Sequence, residues 1–228
     1  MKFSRATLES CENVTGFVVV IDVLRAFSTA AYAFHHGIEN IRIAGTVAEA
    51  FELKEKYPTS FLMGEVDGLP IPGFDFSNSP AQFDNLDLDG THLIQRTTSG
   101  TQGIVRSRKA NILLAVSFCN ALVTSRYIKI VSPSEVTFVI TGSRPGNWGD
   151  EDAACADYIE SLVRDQNPDL IPYLNRVKAS SPGQLFLDPQ LDDYPLKDLE
   201  YCLAANKFDF IMPVSKKDGD LLMIARDI

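Results

Sequence analysis

The apolar run Phe17–Ile21 (FVVVI) constrains the fold more than any other stretch of the sequence. Such a continuous run, rich in β-branched residues, is typical of a strand that is covered on both faces. The run ends at Asp22, and apolar residues then recur at helical spacing from Val23 to Phe34, before Gly37. The sequence therefore predicts a buried strand that leads directly into a helix.

Strands, loops and helices alternate along much of the remaining sequence. We predict strands at 38–44, 61–63, 91–95, 111–116 and 135–141, and helices at 46–58, 102–108, 118–128 and 150–164. This alternation favours an α/β fold with a mainly parallel sheet flanked by helices. We expect one domain over residues 1–228, with two α/β halves, 1–108 and 109–228, enclosing a cleft as the alternative.

The last third of the sequence is less regular. Residues 165–196 are interrupted by five prolines: Pro168, Pro172, Pro182, Pro189 and Pro195. We therefore expect this segment to wrap around the domain instead of extending the sheet. A helix is predicted at 199–206. The runs 208–214 and 221–226 flank Lys217-Asp218-Gly219, a turn sequence that predicts a C-terminal hairpin.

Charge and composition exclude several classes of function. The net charge of −9 and the pI near 4.8 argue against a general nucleic-acid or anionic-membrane binder, because either needs an excess of Lys and Arg on one face. No stretch approaches the roughly 18 apolar residues of a membrane span, and the first residues lack the apolar core of a signal peptide. The four cysteines have no metal-ligand spacing, so we expect reduced thiols and a cytoplasmic protein.

The turn at 96–101 combines features of an anion-binding site. It lies between a predicted strand and a predicted helix, and it consists of Arg96, Thr97, Thr98, Ser99, Gly100 and Thr101. Free N–H groups at a helix start bond phosphate oxygens, hydroxyl groups add donors, and an arginine offers a bidentate fork. A Thr/Ser/Gly turn is also an ordinary helix cap. The turn alone does not decide between the two interpretations.

Acidic residues follow three of the predicted strands. Asp22 follows the first strand, Glu65 the third, and Asp150, Glu151 and Asp152 the sixth. Because loops at the carboxyl ends of parallel strands converge, we expect these acids at one edge of the sheet. Gathered carboxylates repel unless a cation holds them, and hard oxygen ligands select Mg²⁺ or Mn²⁺ over zinc. Taken singly, each acid is better explained by a helix N-terminus or by a solvated loop. Taken together with Arg25, Arg96, Arg144 and the turn at 96–101, they favour a site.

Four motifs occur in the order that is found in a known family. They are Ile21-Asp22-Val23-Leu24-Arg25-Ala26; Gly64-Glu65 with Gly73-Phe74-Asp75 and Asn78-Ser79-Pro80; Thr97-Thr98-Ser99-Gly100-Thr101; and Glu151-Asp152-Ala153-Ala154-Cys155-Ala156. On these motifs the sequence resembles the 2-phosphosulfolactate phosphatase (ComB) family of coenzyme M biosynthesis. The resemblance implies a Mg²⁺-dependent acid phosphatase of distinctive α/β fold, acting on a phosphate ester at the 2-position of a small sulfonated carboxylic acid. Ser77 and Ser99 stand where the family pattern has Gly and Asn.

The acids can be assigned roles in such a reaction. We expect Asp22, Glu65 and Glu151 to hold Mg²⁺ directly or through water, with Asp152 as a substitute or as support. A metal-bound water activated near a carboxylate is the preferred nucleophile. An aspartyl-phosphate formed on Asp22 is the alternative.

The basic and hydroxyl residues are candidates for binding the substrate. We expect the phosphoryl oxygens to be bound by two arginines and the turn after the second: Arg25, Arg96 and Thr97, Thr98, Ser99, Gly100 and Thr101. Arg144 is the candidate for the carboxylate or sulfonate, with Asn78 and Ser79 as supporting donors. Surface ion pairs and a plain turn are the alternatives for these residues.

Two other functions remain open at this point. The same scaffold could act on another small phosphate ester, such as a phosphorylated hydroxy acid. A non-catalytic phosphometabolite-binding protein would use the same anion site, although it has no need for three acids at strand ends. In each case the partner is a small anionic phosphate ester, not a nucleic acid or a membrane, and a homodimer is the default expectation for a small metabolic enzyme.

Overall fold

The protein consists of one large sheet with helices on its faces. The computed structural model describes residues 1–144 and 147–228, without the side chains of residues 143, 144, 147 and 148. The strands are β1 Lys2–Thr7, β2 Phe17–Ile21, β3 Asn40–Ile43, β4 Phe61–Val66, β5 Leu69–Pro70, β6 His92–Arg96, β7 Ile112–Val116, β8 Glu135–Ile140, β9 Ser143–Arg144, β10 Asn147–Trp148, β11 Met212–Lys217 and β12 Asp220–Met223. The helices are α1 Ala26–His35, α2 Val47–Lys56, α3 Gly100–Arg106, α4 Ala121–Val131, α5 Asp150–Val163, α6 Ile171–Ala179, α7 Ser181–Leu185 and α8 Leu196–Cys202.

Ten strands form the sheet, in the order β1-β8-β2-β7-β11-β12-β3-β6-β4-β5. One parallel group contains β1, β8, β2 and β7, and a second contains β3, β6 and β4. The β11–β12 hairpin lies between the two groups and runs antiparallel to β7 on one side and to β3 on the other. The predicted α/β class, mainly parallel sheet and C-terminal hairpin are therefore confirmed. The strands do not divide at residue 108, since β2 pairs with both β7 and β8.

Strand β2 is covered on both faces, as its apolar run predicts. Val18 and Val20 belong to a core cluster that includes residues of α1 and α3. Phe17, Val19 and Ile21 belong to a second cluster, with residues of α4 and α5. Because both faces are buried, the strand holds its carboxyl end, and the residue that follows it, in a fixed place between two layers of helices.

Two parts of the chain differ from, or add detail to, the predicted pattern. The edge strand β1 was not predicted, because its sequence KFSRAT is largely polar and only Ala6 in it is buried. Residues 165–196 contribute α6 and α7 and no strand, in agreement with the prediction that they do not extend the sheet. Among the described residues, no helix is both long enough and apolar enough to cross a membrane.

Candidate active site

A cavity of about 390 Å³ opens at the carboxyl ends of β2, β4, β6 and β8. Eight of the predicted site residues line it: Asp22, Arg25, Glu65, Asn78, Thr98, Ser99, Glu151 and Asp152. The other lining residues are Leu24, Asp67, Gly68, Thr141, Gly142, Ser181, Pro182, Leu185, Phe186 and Tyr194. The strand ends thus bring together acids that lie far apart in the sequence, as expected for a parallel sheet.

Asp22 lies immediately after β2 and is one of the buried residues that line the cavity. Its Oδ1 accepts a hydrogen bond from the backbone N–H of Ala26 at 3.0 Å, and the N–H of Gly100 also donates to the carboxylate. The side chain is buried, and this burial raises its pKa from 3.8 to about 7, with a further contribution from the negative charges of Glu65 and Glu151. A carboxylate in this environment is well suited to hold or release a proton near neutral pH.

Asp152 joins the ends of two strands to the first turn of α5. Its Oδ1 accepts from the N–H of Val23 at 2.8 Å, and its Oδ2 accepts from the N–H of Gly142 at 2.8 Å and from Thr141 Oγ1 at 3.1 Å. Burial raises the pKa of Asp152 well above its ordinary value, and the charges of Glu151 and Asp22 raise it further. These three donors hold Asp152 in a fixed orientation, which suits the supporting role predicted for it.

Glu65 binds the turn that was predicted to bind an anion. Its Oε1 accepts from the N–H of Thr98 at 2.6 Å, while its Oε2 accepts from the N–H of Gly68 at 2.6 Å and from Thr98 Oγ1 at 3.1 Å. In the same turn, the N–H groups of Thr97 and Thr101 donate to each other's hydroxyl oxygens at 2.9 and 3.1 Å. The expectation that this turn offers free N–H donors is therefore corrected, because these groups are bonded to side chains of the protein.

Five predicted substrate or catalytic residues do not line the cavity: Ser79, Arg96, Thr97, Gly100 and Thr101. Arg96 Nη1 donates to the carbonyl oxygen of Glu65 at 2.6 Å, so this side chain holds the backbone of Glu65 in place. Gly100 packs against Asp22, where an added Cβ would lie 2.7 Å from Oδ2. The side chain of Arg144 lies outside the described part of the structure, and its predicted role stays a prediction.

Arg25 is held at the cavity wall by residues that the sequence patterns did not single out. Its Nη1 donates to Asp198 Oδ2 at 2.6 Å and to the carbonyl oxygen of Asp193 at 3.0 Å. Its guanidinium also lies 5.3 Å from the ring centre of Phe186 and 5.1 Å from that of Tyr194. Segment 165–196 therefore does contribute to the site, although aromatic residues in a proline-rich segment give no indication of where they pack.

Gly64 allows β4 to approach β6 just before Glu65. Its φ is +151°, and an added Cβ would lie 1.8 Å from the carbonyl oxygen of Arg96. We expect Gly64→Ala to lower the free energy of unfolding by roughly 3 kcal/mol, because the backbone of one strand must move. Urea unfolding measures this. Gly90→Ala is the control, since its φ is +71° but no atom lies within 4 Å of the added Cβ. We expect this variant to lose only about 1 kcal/mol of its free energy of unfolding. Equal losses in the two variants would contradict the explanation.

The donor set of the cavity fits a hydrated hard cation. Five carboxylates line it, and Arg25, a cation in its wall, is paired with Asp198. The raised pKa of Asp22 reflects burial together with unbalanced negative charge from Glu65 and Glu151. Within the described residues, no three His, Cys, Asp or Glu side chains form a ready-made metal cage. A cation in this cavity would therefore be held by one or two of the carboxylates, with water and substrate phosphate completing the shell, as is usual for Mg²⁺.

Comparison with known proteins agrees with the resemblance drawn from the motifs. Residues 4–217 match the family model described as 2-phosphosulpholactate phosphatase. A protein of Bacillus subtilis (strain 168), named "probable 2-phosphosulfolactate phosphatase", is 36% identical over 92% of this chain and 91% of its own length. Proteins of the same name from Carboxydothermus hydrogenoformans and Thermoplasma volcanium are 32% and 27% identical, over 90% and 88% of this chain and 89% and 90% of their own lengths. The chain therefore belongs to the 2-phosphosulfolactate phosphatase family.

Proposed function

We propose that the protein is a Mg²⁺-dependent phosphoric monoester hydrolase that converts 2-phosphosulfolactate to 3-sulfolactate and phosphate, a reaction of the coenzyme M biosynthesis type. The observation that carries this proposal is the convergence of Asp22, Glu65 and Glu151 on one cavity that also contains Arg25. The names of the relatives supply the substrate. The carboxylates and the arginine supply the chemistry that a phosphate ester requires.

The cavity contains one set of residues for the cation and another for the phosphoryl group. Mg²⁺ bound beside Asp22, Glu65 and Glu151 would supply positive charge that offsets the phosphoryl oxygens. Arg25 binds the phosphoryl oxygens, over which negative charge spreads in the transition state. Thr98 and Ser99 also line the cavity, and the hydroxyl group of Thr98 donates to Glu65 Oε2, which orients that carboxylate.

Hydrolysis also requires a nucleophile and a place for its proton. A water molecule attacks phosphorus and transfers a proton to a neighbouring carboxylate, and the bond from phosphorus to the C2 oxygen breaks. The carboxylate then passes the proton to the C2 oxygen, which leaves as the hydroxyl group of 3-sulfolactate. Asp22 suits the acceptor role, since its pKa is raised to about 7. Direct attack by Asp22 remains the alternative. Its Oδ1 already accepts the N–H of Ala26, which leaves Oδ2 as the attacking oxygen.

Asn78 is the further candidate for orienting the substrate. It lines the cavity and is buried, and among the described residues its Oδ1 has no hydrogen-bond partner. A buried amide oxygen without a partner costs free energy unless a ligand or water satisfies it. We propose that the Oδ1 of Asn78 accepts a hydrogen bond from a bound water or from a hydroxyl group of the substrate. Arg144 is retained as the candidate for the carboxylate or sulfonate.

Phosphate release tests the proposed function. The purified protein is incubated with 2-phosphosulfolactate and with a panel of other phosphorylated hydroxy acids, in Mg²⁺ and in excess chelator. We expect Mg²⁺-dependent release, fastest with 2-phosphosulfolactate. Faster phosphate release from another panel member would show that the substrate is that ester, and the proposed reaction, hydrolysis of a phosphate monoester, would stand. Binding of an ester without turnover would favour a phosphometabolite-binding protein.

Cell location and assembly stay predictions. All four cysteines are free and buried, which supports a reducing compartment such as the cytoplasm. A homodimer remains the default expectation for such an enzyme.

A further inference from the structure

Asp198 is a buried acid outside all the motifs described above. It lies in the first turn of α8, and its side chain is 0% exposed. Its Oδ2 accepts from Arg25 Nη1 at 2.6 Å, and its Oδ1 accepts from Ser79 Oγ at 2.7 Å and from the N–H of Ala81 at 3.2 Å. One carboxylate therefore joins the segment after β2 to the loop that carries Asn78.

The contacts of Arg25 determine which of its groups face a substrate. Both hydrogens of Nη1 are used, one by Asp198 Oδ2 and one by the carbonyl oxygen of Asp193. The guanidinium plane is also confined by the rings of Phe186 and Tyr194. Contacts to an anion therefore fall to Nε and Nη2, and their direction depends on the position at which Nη1 is anchored.

The same carboxylate restrains the loop that carries Asn78. Ser79 and Ala81 both follow Asn78 in the chain and both donate to Asp198 Oδ1. On the other side, Thr29 Oγ1 donates to the carbonyl oxygen of Asn78 at 3.3 Å. The backbone of Asn78 is thus held from two directions while its side chain lines the cavity.

We propose that Asp198 is a positioning residue for phosphoryl transfer, which orients the guanidinium of Arg25 and the loop of Asn78 without contacting the substrate. The inference rests on the proposed function, because it gives Arg25 the phosphoryl contact. Asp198 is not among the residues that line the cavity. Its charge matters because the Arg25–Asp198 pair is almost completely buried, so a neutral partner would leave the guanidinium without its counter-ion.

Asp198→Asn tests this in the complete protein, because asparagine keeps the size and one acceptor oxygen. We expect kcat to fall about a hundredfold with a much smaller change in KM, as for a misplaced catalytic group. The matched control is Asp84→Asn, which removes the ion pair of Asp84 with Lys197, another link between α8 and the 80–84 segment. The control is expected to stay within about threefold of wild type.

Combined variants separate positioning from a general structural effect. If Asp198 acts through Arg25 and Asn78, adding Asp198→Asn to a variant that carries both Arg25→Lys and Asn78→Ala causes no further loss of activity. Losses that multiply, or a fully active Asp198→Asn enzyme, would overturn the proposal. Thermal unfolding of each variant shows whether the fold is retained.

A second measurement does not depend on catalysis. The Nε–H signal of Arg25 in ¹⁵N NMR, assigned by its disappearance in Arg25→Lys, reports how rigidly the guanidinium is held. We expect a rigid group in wild type and in Asp84→Asn, and a mobile group in Asp198→Asn. An equally rigid Arg25 in Asp198→Asn would refute the positioning role. If wild type hydrolyses no ester, the proposed function fails, and the NMR result still decides whether Asp198 orients Arg25.

Discussion

Asp22→Asn is expected to lower kcat/KM for the phosphate ester about a thousandfold, the upper end of what one electrostatic group contributes. Asparagine keeps the shape of the side chain and can still accept the N–H of Ala26, so the start of α1 is preserved. The variant loses the negative charge that favours a cation and the group that can take a proton. Initial rates of phosphate release in saturating Mg²⁺ measure the effect.

The control for this variant is the same substitution far from the cavity. Asp209→Asn neutralises a carboxylate that is 86% exposed, and it should leave the rate unchanged. A rate for Asp22→Asn within tenfold of wild type would remove Asp22 from the chemistry. A normal rate that needs far more Mg²⁺ would instead restrict Asp22 to holding the cation.

The metal-free protein is expected to lose stability as the pH rises from 5 to 8. Burial and the charges of Glu65 and Glu151 raise the pKa of Asp22 from 3.8 to about 7, and the pKa of Asp152 is also raised. Between the two values the folded state binds a proton that the unfolded state has released, so raising the pH favours unfolding. This loss of stability is absent below about pH 4 and complete above about pH 7.

The size of this effect follows from the shift in the pKa of Asp22. At about 1.4 kcal/mol per pH unit, a rise from 3.8 to about 7 corresponds to at most ~4 kcal/mol in total, of which roughly 3 kcal/mol is expected between pH 5 and pH 8. Urea unfolding in chelator, at pH 5 and at pH 8, measures the difference. Asp22→Asn should be more stable than wild type at pH 8 and should show a smaller difference between the two pH values.

Mg²⁺ provides the internal check on this prediction. A cation that binds the ionised carboxylates should stabilise wild type more at pH 8 than at pH 5, and it should stabilise Asp22→Asn less. Equal stability of metal-free wild type at the two pH values would contradict the assigned pKa. The same substitution is thus expected to reduce activity and to increase metal-free stability, as is common for functional sites.

The position of the acids could be predicted from the sequence because it depends on chain direction alone. Asp22 follows β2, Glu65 is the second-last residue of β4 and so lies inside the strand that it was predicted to follow, and Glu151 lies in the first turn of α5, after β8. Parallel strands end at the same edge of the sheet. Their distance in the sequence is therefore no obstacle. The apolar run of β2 similarly required two covered faces, and the core clusters provide both.

Other features depend on long-range contacts that no local pattern reveals. Phe186 and Tyr194 reach Arg25 from the proline-rich segment 165–196, and Asp198 reaches it from α8, 173 residues away in the sequence. The turn at 96–101 has the composition of an anion site, yet its N–H of Thr98 is bonded to Glu65. Composition indicates that donors are present, but only the fold determines which acceptor they meet.

The central place of the β11–β12 hairpin affects the order of folding during synthesis. Residues 212–223 are translated after every other strand of the sheet, yet they join its two parallel groups. Until the hairpin leaves the ribosome, β7 and β3 both present an unpaired edge, to which strands of other chains can add. Pairing of the hairpin with β7 and β3 is therefore the step that closes the sheet and removes both edges.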